Sequence, residues 1–357
     1  VMIVVILELT STTRVQAMIA ENITDSHMAF YAVETAMIET EEYLYQDLQP
    51  PPRRPDTDLS VEENQKLMDQ QISDSYHDFW AREVRSEKVG DLWAQTAIFD
   101  EERKFNINSL VDPGTGTPRP GQKQFLEALL EKLGMRRAMV PDLVEEIIDY
   151  IDKDTKGKFD GSDKRNAPMG MVRECLLLEN VSRSLYFGSL TFPKGELPIP
   201  DEDSEFVDEF EEETDEEALA RRMENPFAPR PVPPLEEWEE RGIRAGLRDI
   251  LTVYGDGLIN INTAPLPILE ALFDEREVAL DVIKKRKKAP LKSPEDLKDI
   301  SGVQPGIAKY GALIGFKSQF FRVEMVVKHR RTTRKIFAII RRWNGKVMTL
   351  FRGPRLQ

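Results

Sequence analysis

The residues best able to do chemistry lie in two places. The first is Asp149 to Gly161, DYIDKDTKGKFDG, where closely spaced carboxylates are interleaved with glycines. Such a run supplies the hard oxygen donors that calcium prefers. The spacing is not that of an EF-hand, because the terminal Glu and the regular alternation of ligands are missing. An acidic loop that only caps a helix end accounts for the same residues equally well. The second place is Gly255 to Phe273, GDGLININTAPLPILEALF, which alternates like a strand, stops at Thr-Ala-Pro and runs on like a helix. Helix-hairpin-helix DNA binders begin in this way, holding phosphates through backbone N–H groups in a Gly-x-Gly turn at a helix start. Here the first turn, LFDERE, has no glycine and carries extra acids. The second, ISGVQPG, keeps its glycines but has only Lys298 and Lys309 close by as bases. The run Lys284 to Lys288, KKRKK, is the strongest point for DNA, and a solvated helix end explains it as well.

Little else is chemically suggestive. His27, His77 and His329 are scattered, and no nucleophile, base and orienting group stand together, so no catalytic residue is expected. Cys175 is the single cysteine, which excludes an intrachain disulfide and suits either a cytosolic or a periplasmic protein. Against 63 acidic residues stand 49 basic ones, a net charge of -14, which argues against broad electrostatic capture of nucleic acid. Basic residues crowd the end of the chain from Arg322 to Arg355, where Glu324 is the one acid.

The elements that must position these residues begin with a long helix. Val1 to Leu9 is apolar apart from Glu8, too short to span a bilayer, and reads as the back half of a longer hydrophobic helix. From Thr13 to Leu48 there is no Pro or Gly. Val15, Met18, Ile19, Ile23, Phe30, Val33, Met37, Ile38 and Leu44 recur at helical spacing as one apolar stripe. Gln49-Pro50-Pro51-Pro52 ends that helix. Val89–Ile98 and Lys104–Leu110 (KFNINSL) read as two strands with FDEER as the turn between them. Helical spacing follows from Gln122 to Ile151. The stretch from Pro198 to Pro234 is acidic, flanked by prolines and poor in residues to bury, so it reads as an exposed, flexible insertion. Pro267–Phe273, Arg276–Lys288 and Ser293–Ile300 are expected as helices. Phe321–Lys328, Arg334–Arg342 and Lys346–Phe351 are expected as a meander of three strands, its last turn marked by Asn344-Gly345. Alternation then puts many of the closing basic residues on one exposed face.

Several stretches together carry a family resemblance. ELTSTTRVQAMIAENITDSHMAFYAVETAM resembles the first helix, just after its membrane part, of the type II secretion minor pseudopilins called general secretion pathway protein K. FDEERKFNINSL is similar to that family's first NiN element. LVEEIIDYIDKD is similar to its acidic helix and loop, with Tyr150 where Trp is common. LTVYGDGLININTAP is similar to its NiNTAP element, and SPEDLKDISGV and SQFFRVEM to its last helical turn and the strand that follows. The resemblance implies an α+β, pilin-like fold: a long N-terminal helix and a small antiparallel sheet carrying a large inserted helical domain. It divides the chain into 1–49 (N-terminal helix), 50–119 (first part of the pilin-like domain), 120–317 (helical domain, with the acidic insertion 198–237) and 318–357 (closing strands). It implies a non-enzymatic tip subunit, anchored in the bacterial inner membrane by its helix, with its globular part in the periplasm. Minor pseudopilins of the I and J type, the pseudopilus and exported cargo are the implied partners, with Val15, Ile19, Ile23 and Phe30 as the interface. Calcium is the implied metal, carried over to Asp152, Asp154 and Asp160. A helix-hairpin-helix DNA-binding protein and a minor pilin of a type IV pilus are the alternatives.

Overall fold

A computed structural model describes residues 2–48, 73–82, 85–89, 92–153, 157–159, 165–188, 245–330 and 332–354. Helix α1, Met2–Gln46, is 45 residues long. A four-residue helix α2, Phe79–Arg82, precedes strands β1, Arg85–Val89, and β2, Leu92–Asp100. The chain then leaves the sheet and returns to it in β7, Phe320–His329, β8, Thr332–Trp343, and β9, Lys346–Pro354. These make one antiparallel sheet in the order β1-β2-β7-β8-β9. The expected meander is there, and Asn344 at φ 50 with Gly345 at φ 70 supplies the left-handed turn between β8 and β9. Alternation along β7 is strict: Phe321, Val323, Met325 and Val327 point inward and are buried.

α1 lies across the inner face of this sheet. Ala29, Val33, Ala36, Met37 and Leu44 are buried there with Trp80, Ile98, Phe321, Val323, Ala338 and Ile340. Burying each large apolar side chain of that set stabilises by roughly 1.5–3 kcal/mol. The helix's register is set by polar contacts from one end of the sheet to the other. Asp25 meets His329 at 3.0 Å, Ser26 accepts from Arg334, Glu34 meets Arg352 at 2.6 Å, Glu41 accepts from Thr349, and Asp47 meets Arg342. The expected single stripe therefore splits: Val33, Met37 and Leu44 are buried, while Ile38 faces solvent.

Between β2 and β7 stands a helical block with an apolar core of its own. It consists of two units built alike. Unit one opens with β3, Phe105–Asn106, and a 3-10 turn, Ile107–Leu110. Helices α3, Pro120–Lys132, α4, Val140–Ile151, α5, Arg183–Phe187, and α6, Leu247–Ile250, follow, and the unit closes on β4, Leu251–Thr252. Unit two opens with β5, Ile259–Asn260, runs through α7, Leu266–Phe273, α8, Arg276–Lys288, and α9, Val303–Tyr310, and closes on β6, Ile314–Gly315. In each unit the first and last strands pair in parallel, Phe105 with Leu251 and Ile259 with Ile314.

Two expectations need correction. KFNINSL is not a strand of the sheet: only Phe105 and Asn106 are extended, and they pair with β4. FDEER is accordingly not a hairpin turn. It is the point where the chain crosses from one core to the other, and Asp100, Glu101, Glu102 and Lys104 are all buried there. Ser293–Ile300 forms only a 3-10 turn, Pro294–Leu297. The acidic insertion 198–237 lies outside the described residues.

Candidate functional site

Three places were singled out by the sequence, and a fourth emerges only in three dimensions. On α1, Val15, Ile19, Ile23 and Phe30 are 52, 53, 54 and 44 % exposed. Val33 follows Val15 by about five whole turns, so the two face the same way. Val15 and Ile19 are uncovered because the sheet ends near Asp25, and not because they point away from it. Phe30 differs, since the Arg352 guanidinium lies over its ring at 5.9 Å.

The acidic loop begins at the end of α4. Asp152 is 6 % exposed and its N–H donates to Ile148 O at 2.9 Å. Asp154 and Asp160 lie outside the described residues. Asp149, one turn before Asp152, is 9 % exposed and its carboxylate accepts from Phe159 N at 2.9 Å. Gly157 packs so closely on that carboxylate that a Cβ there would overlap it. Asp149 thus anchors the returning loop, a role that its place at the head of the acidic run did not reveal. Asp142 pairs with Lys158 at 2.6 Å, and Lys153 reaches Pro113 O at 3.3 Å. Asp149 and Asp152 supply oxygen donors of the kind calcium takes, but no group of three His, Cys, Asp or Glu side chains with metal-holding geometry occurs among the described residues.

Three of the five basic residues that end α8 are engaged within the protein, and Lys287 and Lys288 are exposed. Arg286 is buried and donates to Ile261 O and Ala264 O, both at 2.7 Å, and the Nε2 of His77 meets Arg286 O. Lys284 pairs with Asp281 and Lys285 with Asp299. Gly302, at φ +82, adopts the left-handed conformation where α9 begins, and a Cβ there would sit 2.8 Å from Val278 Cγ2. Helix packing therefore accounts for the glycine without a phosphate.

The fourth place is the junction of the two cores, held by residues from five separate stretches. Asp74 accepts from Ser318 N through Oδ2 at 2.8 Å, meets Arg342 through Oδ1, and its carbonyl accepts from Asn260 Nδ2 at 2.9 Å. Asp100 Oδ2 accepts from Thr263 Oγ1, Ser318 Oγ and Asn260 Nδ2 at 2.5, 2.6 and 3.0 Å, and its Oδ1 accepts from Glu102 N at 2.8 Å. Burial raises the Asp100 carboxyl to about 6 against the pull of the Ser318 and Thr263 hydroxyls. Tyr76 OH donates to Thr263 O at 3.0 Å, so the short stretch Ser73–Asp78 is a clip between sheet and helical block. Nothing in SDSYHD signals this from the sequence, because its partners are far along the chain. The junction is also where α1 ends, at Asp47, whereas the uncovered apolar stripe is at the other end of the helix.

A long helix on an antiparallel sheet, with a two-unit helical block inserted between β2 and β7, defines a pilin-like protein with an elaborated head. Models of the type II secretion system protein K match residues 103–187 and 259–313, which fall on unit one and unit two. The chain belongs to that family, the minor pseudopilins of protein K type, and so has a role in type II secretion. It also matches a chain in the crystal structure of the GspK-GspI-GspJ complex from the enterotoxigenic Escherichia coli type 2 secretion system. The TM-score is 0.57 at 14% identity, over 95% of this chain and 99% of that one, a likeness of fold. No curated protein matches the sequence significantly. No helix among the described residues is long and apolar enough to cross a membrane.

Proposed function

We propose that this chain caps the tip of the type II secretion pseudopilus and helps to start its assembly. The observation that carries the reading is the polarity of the molecule. The helix end with the uncovered stripe Val15, Ile19 and Ile23 projects from one end of the sheet, and the helical block stands at the other. A helix that packs among its neighbours below, under a head too wide to be covered above, ends a filament. The partners are minor pseudopilins of the I and J type, the kinds named with the similar chain in its crystal structure. The role is structural and needs no catalysis. Anchoring is through the N-terminal helix in the inner membrane, with the sheet and helical block in the periplasm, where the head meets exported protein. Calcium binding to the Asp149–Asp160 loop would tie the end of α4 to the returning chain.

Mixing the soluble protein with I- and J-type pseudopilins and measuring mass by light scattering tests this reading. A stoichiometric complex that Ile19→Asp abolishes supports it. A protein that ignores both partners yet shifts DNA overturns it. Calcium is tested separately: a ligand that binds only the native state raises the thermal midpoint. No shift at millimolar calcium removes that site.

A further inference from the structure

The two faces of the sheet treat their cations differently. On the inner face α1 supplies partners, Glu34 for Arg352 and Asp47 for Arg342. On the outer face the register aligns Phe99, Arg322, Ile339 and Phe351 in one row, and Phe320, Arg341 and Met348 in the next. Trp343, Met348 and Phe351 are 53, 56 and 45 % exposed there, and Lys335 and Lys346 are exposed beside them. The Arg341 guanidinium lies between the rings of Phe320 and Trp343, at 5.2 and 5.0 Å. Glu324 is the one acid that β7, β8 and β9 contribute, and Arg322 holds it at 3.4 Å. Among the described residues Lys335, Arg341 and Lys346 meet no carboxylate, so this apolar face carries positive charge that the fold leaves uncompensated.

The chain itself contains the complement. Residues 201–217 hold twelve acids and no base, which is all but two of the net charge of -14, and Phe206, Val207 and Phe210 stand among them. The chain departs at Gly188 and returns at Ala245, close to where the head meets the outer face. Gly246 packs on Gly188. From there α6 and β4 lead to Thr252, which donates to Glu101, and to Tyr254, whose ring stacks on Phe320 at 6.3 Å. Eight residues separate Gly246 from Tyr254, at most about 29 Å of chain. From Ala245 back to Glu217 is 28 residues, roughly 90 Å when extended, so the tether spans the face.

We propose that the acidic segment 201–217 docks on the outer face of its own chain's sheet. Its carboxylates would meet Lys335, Arg341 and Lys346, and its apolar side chains Trp343, Met348 and Phe351. Attraction between surface charges is weak pair by pair, and salt screens it. Tethering offsets that weakness, because an attached ligand is presented at an effective concentration on the order of millimolar. The same tether favours the segment's own face over that of a second copy until the protein itself approaches that concentration. Docking would cover the apolar sheet face that α1 leaves open.

Carbodiimide cross-linking of the full chain at low salt, read by mass spectrometry of the monomer, tests this. Amide bonds are expected from carboxyls of 201–217 to Lys335 and Lys346. About 1 M salt, which screens charges beyond about 3 Å, should abolish them. Acetylation rates give a second reading. Replacing the twelve acids of 201–217 by Asn and Gln leaves both apolar cores untouched. It should speed acetylation of Lys335 and Lys346 by about threefold or more, the factor for a face covered about two-thirds of the time. Lys287 and Lys288, on α8, should keep their rates. The absence of links to Lys335 and Lys346 overturns the proposal, as do links found only in a covalent dimer. Acetylation rates that the replacement leaves unchanged overturn it too.

Discussion

The two helical units solve one problem with the same residues, and they differ in what they carry. Each opens on Asn-Ile-Asn. In each, the first Asn accepts from the backbone N–H two residues on, Asn106 from Asn108 N at 3.0 Å and Asn260 from Asn262 N at 3.1 Å. In each, the second Asn grips a residue beyond the helical hairpin by both its N–H and its C=O. Asn108 holds Met169 at 2.8 and 2.9 Å, and Asn262 holds Leu291 at 2.8 Å in both directions. A hydroxyl then closes the turn, Ser109 onto Asn106 O and Thr263 onto Asn260 O. Because the side-chain amide imitates a peptide group, each motif replaces a strand partner that the short β3 and β5 lack.

Unit two is the bare form. From the end of α8 to the gripped Leu291 is a short step, whereas the corresponding step in unit one, from Ile151 to Met169, contains the whole acidic loop. Where α9 runs straight into the turn Gly311–Leu313, unit one departs at Gly188 and returns at Ala245. Gly246 packs directly on Gly188, so the departing and returning chain meet. Unit two, in turn, is the one built into the junction: Asn260 Nδ2 reaches Asp74, Asp100 and Ser318, while Asn106 Nδ2, among the described residues, reaches Gly255 O alone. One copy holds the head to the sheet, and the other bears the elaborations.

The largest effect should come from breaking the copy at the junction. Asn260→Ala leaves several fully buried partners unsatisfied and should cost about 3–5 kcal/mol in chemical denaturation, whereas Asn106→Ala should cost about 1–2. Equal losses would mean that the copies carry equal weight. Next, Arg286→Ala should destabilise by about 2–4 kcal/mol, because it strands Ile261 O and Ala264 O within the core. Any effect of that variant on DNA retention in a gel would contradict an internal role. The grips should be matched more closely: Asn108→Ala and Asn262→Ala are expected to fall within about 1 kcal/mol of each other, since each loses the same pair of backbone contacts. The smallest effect is expected from joining Gly188 to Ala245 through a short linker in place of 189–244. Since those ends already meet, the thermal midpoint should move by no more than a few degrees.

Much of this was legible in the sequence where signals are local. α8 occupies Arg276–Lys288, the span its periodicity gives, and the Asn-Gly turn marks the β8–β9 hairpin. The amides of Asn260 and Asn262 both tie down backbone, and one of the acceptors lies 186 residues away. What could not be read is what depends on distant partners. Alternation in KFNINSL looks like a strand, yet its Asn side chains bend the chain after two residues. KKRKK reads as a solvated helix end, which holds for Lys284, Lys287 and Lys288, but a sequence does not show that Arg286 points back under the helix. The stripe on α1 was visible as a pattern, but only the extent of the sheet decides which part is covered. FDEER carries three acids that suggest an exposed turn, and they are buried because each meets a donor from another segment: Ser318 Oγ for Asp100, Arg322 for Glu101 and Gln319 N for Glu102.

The insertion of the whole head between two neighbouring strands bears on the order of folding. β2 and β7 are adjacent in the sheet, and the contact beside their join, Ser318 with Asp100, spans 218 residues of sequence. Loop-closure entropy makes such a pairing slow to form from an extended chain. The parallel pairs β3–β4 and β5–β6 shorten that search, because each brings the ends of its own unit side by side before the sheet exists. The head would then fold first as a clasp that delivers β7 to β2, with the sheet and the docking of α1 as the last steps. Newly made protein would keep α1 undocked from the sheet until the head is complete.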